Sequence, residues 1–274
     1  MRDLVRRVIR EILPPIVLRA VRSTPRTAIE FSGNYPRWAD ARAASTGYDT
    51  DTILARVEAA TSRVASGEAA CERDSLTFDT IEYSFPVLTG LLRAGIENAG
   101  DLTVLDFGGS LGSSFRQCQG YLSVLHRLEW RIVEQEHFVR RGRERFETDQ
   151  LRFYSSIQAA IATGAPDVVL ISSALQYLED PYETLKQLCD TGSHYLIIDR
   201  TPFADISSDQ LVVQHVPESI YPASYPCWIF SRERLAGALD AAWETLADFK
   251  SDDGIAMAAG TRFEFGGMIM RRVD

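Results

Sequence analysis

The stretch VLDFGGSLGSSF, residues 104–115, limits the possible folds of this 274-residue chain more than any other part of it. Its first half, VLDF, is apolar apart from Asp106 near its end, as a strand buried on both faces should be. Its second half places Gly108, Gly109 and Gly112 within five residues, just ahead of a helical pattern. Glycines allow tight, unusual backbone dihedrals and let the chain come close to a ligand. The first turn of the following helix points free N–H groups at the same spot.

The same texture continues through the rest of the C-terminal part. Residues 103–107, 130–134, 167–172 and 195–199 are short apolar runs, and 113–127, 137–147 and 181–190 read as helices between them. Strand and helix in repetition predict an α/β fold over 101–274, a Rossmann-like doubly wound and mostly parallel sheet. Residues 243–249 and 265–271 predict a late antiparallel hairpin on one edge. Asp180-Pro181 reads as a helix cap followed by a first-turn proline. Before residue 101 there is no clear period-2 alternation. WADARAAS, DTILARVEAATSRVAS with Thr50 or Asp51 as N-cap, and 85–94 with Pro86 in its first turn read as helices, so 31–100 is expected to form a helical cap.

Charge is divided unevenly. The net charge of −9 combines +5 on residues 1–26, with seven arginines against Asp3 and Glu11, and −14 on the remainder. The acidic body disfavours nucleic acid as a partner, since polyanions are held by neutralising their phosphates. In the N-terminal segment, expected over 1–30, Leu4, Val5, Val8, Ile9 and Ile12 recur at helical spacing among arginines. That pattern suits peripheral contact with an anionic membrane, and equally a basic helix packed on the acidic body or on a second subunit of a homo-oligomer. Its apolar run 12–18 is too short to span a bilayer and is broken by Pro14-Pro15. Arginines directly after it argue against a cleaved signal, so the expected location is the cytoplasm or the inner membrane face. Cys71, Cys118, Cys189 and Cys227 are too widely spaced for a metal or disulfide framework, and no metal site is expected. Lys186 and Lys250 are the only lysines, which leaves almost no candidate for Schiff-base chemistry.

Three kinds of site share the strand, glycine loop and helix order, the first being phosphate-binding loops. A dinucleotide fingerprint needs glycines at i, i+2 and i+5, and a phosphate loop needs a terminal Gly-Lys-Ser/Thr; neither spacing is met. Gly108-x-Ser110-x-Gly112 formally matches a hydrolase's nucleophile elbow, and Asp199 and His215 would complete the order Ser, Asp, His. The earlier strands and oxyanion loop of such enzymes are missing from 31–100, so Ser110 as nucleophile is the second reading. The third is an S-adenosylmethionine loop, acidic-x-Gly-x-Gly-x-Gly, matched by Asp106-x-Gly108-x-Ser110-x-Gly112 with serine at the middle glycine. A second strand ends in Glu134, 22 residues after Gly112, where a carboxylate accepts hydrogen bonds from both ribose hydroxyls.

With these features the chain resembles class I methyltransferases over about 100–274. LDFGGSLGSS, VEQEHFV, RFYSSI, LQYLEDPYE, IIDRTPF and VPESIYPASYPCWIFS resemble a bacterial methyltransferase family associated with surface-polysaccharide genes. FSGNYPRW, STGYD and ERDSLTFD extend the likeness into the cap. The resemblance implies an S-adenosylmethionine cofactor. It implies that Gly108, Gly109 and Gly112 cradle the methionine part, that Asp106 orders the loop and that Glu134 binds ribose. Gln135, Tyr154 and Ser155 would border the adenine, and Ser172 and Ser173 would line the methyl side.

Ligands of open α/β sheets sit beyond the carboxyl ends of the strands. The acceptor is therefore expected near Ser172, Asp199 and a loop insertion, 201–230, that carries His215, Tyr221, Tyr225, Trp228 and four prolines. Aromatic rings with a few polar groups suit a sugar ring or another small hydroxylated acceptor. Methylation of a hydroxyl needs a base, and His215 is the histidine best placed for it, with Asp199 and Arg200 orienting the acceptor. Arg73 and Asp74 are further candidates for closing the site. A protein of the same fold that binds the cofactor without turnover is the remaining alternative.

Overall fold

The computed structural model describes residues 29–47, 50–73, 75–218, 220–239 and 242–273. The basic segment 1–26 and Asp74 lie outside the described residues. In chain order the N-terminal part holds β1 (Glu30–Tyr35), α1 (Trp38–Ala43), α2 (Thr50–Ala65), and the small hairpin of β2 (Cys71–Arg73) and β3 (Leu76–Phe78). Next come α3 (Phe85–Glu97), β4 (Asp101–Phe107), α4 (Ser113–Leu122), β5 (Arg127–Val133), α5 (Glu136–Arg145), β6 (Leu151–Tyr154) and α6 (Ile157–Ile161). The chain continues through β7 (Val168–Ser172), a 3₁₀ turn (Leu175–Tyr177), α7 (Pro181–Cys189) and β8 (Tyr195–Ala204). It ends with β9 (Gln210–Val216), β10 (Ala223–Ser231), α8 (Arg232–Ala238), β11 (Trp243–Ala258) and β12 (Thr261–Arg272).

β6, β5, β4, β7 and β8 lie side by side and all parallel. β12 runs antiparallel beside β8, with β11 outside it, which is the expected edge hairpin, longer than its apolar residues alone suggest. The apolar runs divide residue by residue between two cores. Val104, Leu170 and Ile197 pack with Leu91 of α3, Phe115 of α4 and Phe138 of α5. Leu105, Val169, Ile171 and Ile198 pack on the other face with Ile157 of α6, Leu185 of α7 and Leu235 of α8. Successive strand side chains point to opposite faces, so a strand covered on both sides must be apolar throughout. Each such side chain contributes roughly 1.5–3 kcal/mol by its burial.

Three expectations need correction. The segment 31–100 is not simply helical: β1 pairs with β9, and β2 with β3. The helix expected over 85–94 is α3, and it packs on the sheet as one of its covering helices. Residues 201–230 do not form a loop. β8 runs on to Ala204, where Phe203 and Ala204 pair with Phe230 and Ser231 of β10; β10, β9 and β1 then form an antiparallel extension beyond the end of β7. Prolines conceal this extension in the sequence, yet Pro202 and Pro226 both stand in ladders. A proline interrupts a ladder only where its N–H is needed. Asp180 does stand at the N-cap of α7 with Pro181 in the first turn, although its side chain makes no capping bond. Among the described residues, no helix is long and apolar enough to cross a membrane.

Candidate functional site

The glycine loop closes over a buried carboxylate. Asp106, 1% exposed, accepts a hydrogen bond from Trp130 Nε1 at 2.9 Å. A Cβ on Gly109 would stand 2.5 Å from Asp106 Oδ2, so the chain passes too close above the carboxylate for any side chain. Gly112 has φ +98°, in the left-handed region, and begins α4; a Cβ there would also meet Arg116 Nη1 at 2.8 Å. Arg116 Nη1 in turn donates to the carbonyls of Leu111 (2.6 Å) and Gly112 (3.1 Å), and the N–H of Gly108 donates to the Val133 carbonyl at 2.9 Å. Burial raises the Asp106 pKa to about 7, with the Glu134 charge adding to the effect and Trp130 opposing it.

Glu134 follows directly on β5. Its carboxylate accepts from its neighbour's N–H, Gln135, at 2.6 Å and from the N–H of Ser110 in the loop. Burial still pushes its pKa up against those two bonds. The Glu134 N–H donates to the Tyr154 carbonyl at 3.0 Å, so Tyr154 and Ser155, at the end of β6, adjoin it, and Gln135 stands at the N-cap of α5.

At the ends of β7 and β8, Ser172 and Asp199 are ladder partners, and Ser172 Oγ donates to Asp199 Oδ2 at 3.0 Å. Asp199 is 5% exposed, and burial raises its pKa against the lowering effects of the Arg200 charge and the Ser172 bond. Ser110, Ser173 and Arg200, one at each of three strand ends, have φ of +53°, +54° and +52°. Left-handed backbone costs roughly 1–2 kcal/mol outside glycine, and such strain concentrates at functional sites. Gln176, fully buried, spans two of these residues: its Nε2 donates to Ser173 Oγ (3.2 Å) and the Arg200 carbonyl (3.3 Å). The Arg200 side chain pairs with Asp253 of β11 at 2.9 Å.

The β9–β10 hairpin sorts the remaining candidates by face. Tyr177 Oη donates to Gln214 Oε1 at 3.0 Å, Gln214 Nε2 to Tyr225 Oη at 3.3 Å, and the Tyr221 and Tyr225 hydroxyls stand 3.5 Å apart. This phenol and amide chain adjoins the turn that leaves β7. His215 lies on the opposite face of β9 with Ser224, and its Nε2 is 2.8 Å from Ser32 Oγ of β1. Trp228 is on that same outer face of β10, stacked on Trp38 at 6.2 Å, with Nε1 donating to the Leu178 carbonyl at 3.0 Å. The expectation that His215 and Trp228 join Tyr221 and Tyr225 is therefore corrected: strand alternation separates them. Nor does the structure assemble a hydrolase triad, because His215 is held by Ser32 and Asp199 by Ser172, and neither bonds to Ser110.

Sequence reasoning missed Arg116, Tyr177, Gln214 and Asp253. Tyr177 and Gln214 lie in phrases already singled out, LQYLEDPYE and the 201–230 segment, but only the pairing of strands puts them together. A surface groove of about 220 Å³, lined in part by Asp180, Tyr182, Asp209 and Arg234, lies away from the glycine loop. Among the described residues, no group of three or more His, Cys, Asp or Glu side chains is arranged to hold a metal ion.

No family model matches the chain, and no curated protein matches it. Solved structures resemble it at a distance. The N-terminal domain of EvdMO1, crystallised in the presence of SAH and D-fucose, is 16% identical with a TM-score of 0.48, covering 82% of this chain and 98% of that one. Magnesium protoporphyrin IX methyltransferase from Synechocystis PCC 6803, with bound SAM, is 16% identical with a TM-score of 0.43, covering 69% and 77%. The 1,6-didemethyltoxoflavin-N1-methyltransferase of Burkholderia thailandensis is 14% identical with a TM-score of 0.41, covering 82% and 89%. At this distance what those proteins bind remains theirs.

Proposed function

We propose that the chain is an S-adenosylmethionine-dependent O-methyltransferase acting on a neutral hydroxylated acceptor of the sugar or glycan-precursor type. The observation that carries this reading is electrostatic. Asp106, Glu134 and Asp199 stand at the carboxyl ends of the parallel strands β4, β5 and β8, the first two at the glycine loop, and burial raises the pKa of each. A cation bound beside these acids draws them to their ionised form, whereas an anion gains nothing from them, so the crevice favours a cation rich in hydrogen-bond donors over the pyrophosphate of a dinucleotide. The cofactor fits: it is a sulfonium with an ammonium and two ribose hydroxyls.

When bound, the cofactor supplies a methyl group already made electrophilic by the sulfonium. Glu134 would accept both ribose hydroxyls, while Gln135, Tyr154 and Ser155 border the adenine. The backbone of Gly108, Gly109 and Gly112 would cradle the methionine part, with Ser172 and Ser173 beside the methyl. Asp199 takes the role of base in place of His215: its raised proton affinity and its bond to Ser172 give a hydroxyl proton a short route to a carboxylate. Tyr177, Gln214, Tyr225 and Tyr221 offer neutral donors and acceptors to the ring. Arg200, engaged by Asp253, holds the strand end in place.

Incubation with methyl-tritiated S-adenosylmethionine and a panel of free, nucleotide-linked and lipid-linked sugars tests this. Label is expected on an oxygen of a sugar in the panel. Label appearing only on nitrogen acceptors, or on none of the panel, would count against the O-methylation reading.

A further inference from the structure

β2 connects the two halves of the crevice. Glu72 and Arg73 are adjacent, yet they hold opposite sides of it. The Glu72 carboxylate, 7% exposed, accepts from Ser113 Oγ at the first residue of α4, just past Gly112. The Arg73 guanidinium reaches Asp253 at 3.8 Å, and Asp253 is held by Arg200 from β8. β4, which leads into α4, and β8 flank β7 and are separated by two ladder spacings, roughly 10 Å. The side chains of β2 thus reach both places, with Arg73 also paired to Glu82 at 3.0 Å. α2, which precedes it, is fastened to α5 by Glu58 with Arg141 (2.5 Å) and Arg145 (3.1 Å), and packs into the same core as α5 on one face of the sheet.

Resting on the cofactor reading above, we infer that Glu72 is the cap's contribution to the cofactor site and receives the α-ammonium of its amino-acid end. With its ribose on Glu134 and its methionine part on the glycine loop, the cofactor would bring its amino-acid end near the first turn of α4. An ammonium near the first turn of α4 meets the positive end of a helix dipole and needs an anionic acceptor there. Glu72 brings a buried carboxylate to that turn, and its charge already acts on Arg116 one turn further on. β2 would therefore contribute a ligand to the crevice through Glu72, with Arg73 reaching Asp253 on the acceptor side.

The test is calorimetric, on the full chain. Wild type, Glu72→Gln and Glu72→Ala are titrated with S-adenosylhomocysteine and with its des-amino analogue, in which hydrogen replaces the ammonium. One charge-assisted hydrogen bond predicts that wild type prefers the ammonium ligand by roughly 10- to 100-fold. Both variants should lose most of that preference and bind the des-amino ligand as wild type does; the near-isosteric glutamine decides if the alanine variant does not fold. A preference retained in the variants, or absent from wild type, overturns the assignment. Failure of wild type to bind S-adenosylhomocysteine at all removes the cofactor reading itself.

Discussion

Replacing Glu134 with alanine should weaken S-adenosylhomocysteine binding by at least about 100-fold, because it removes the acceptor of two ribose hydroxyls at once. Hydrogen bonds to a charged group contribute roughly 1.5–3 kcal/mol each, and every 1.4 kcal/mol is a factor of ten in affinity. There is a second, local effect. The same carboxylate accepts the N–H groups of Ser110 and Gln135, so alanine also releases the strained loop residue from its partner. Glu134→Gln separates the two effects: its amide oxygen can still accept, and it should recover part of the affinity. Titration calorimetry on the three proteins measures this. Equal affinity for wild type and Glu134→Ala would remove the ribose assignment.

The second large effect is a pH dependence of folding stability. Asp106 holds its proton to about pH 7 in the fold, against an ordinary value of 3.8, because the carboxylate would be buried beneath the glycine loop with Trp130 as its side-chain partner. Between those values the folded chain binds more protons than the unfolded chain, so stability falls as pH rises and levels off above about 7. One pKa unit corresponds to about 1.4 kcal/mol, which makes the loss from this one group roughly 4 kcal/mol between pH 4 and pH 8. The raised Glu134 and Asp199 add to it in the same direction. Asp106→Asn should abolish the Asp106 share: urea unfolding should find the variant close to wild type at pH 4 and more stable at pH 8. Parallel pH profiles for the two proteins would show that Asp106 is not the buried acid described. Binding a cationic ligand is expected to offset the loss, since positive charge favours the ionised carboxylates.

The sheet was legible in the sequence because its strands are covered on both faces. Between Asp167 and Ser172 the run VVLI has no polar position to confuse its reading, and its alternate residues go to two separate cores. The glycine loop was legible for a related reason: a buried Asp106 directly beneath Gly109 excludes every side chain, and left-handed φ at Gly112 favours the same residue. Position 110 breaks the glycine pattern, yet Ser110 adopts φ +53° and gives its N–H to Glu134, so serine fills the middle place at a cost in strain. The acceptor side was much less legible. LVVQHV and ASYPCWIF carry strand-like alternation, but Pro217, Pro222 and Pro226 among them read as loop. Only the hairpin shows that Gln214 and His215 face opposite sides of β9, and residue type alone favours the histidine as base. β2 is too short for any periodicity, and the roles of Glu72 and Arg73 emerge only from what lies on either side of them.

The central claim is that this crevice is built for a ligand with an ammonium and ribose hydroxyls and against a pyrophosphate. Calorimetric titration of the wild-type chain with S-adenosylhomocysteine and with NAD, in the same buffer at pH 7, tests it most directly. Binding of the first at micromolar concentration with no detectable binding of the second is expected. Binding of NAD as tight as that of S-adenosylhomocysteine, or tighter, would contradict it.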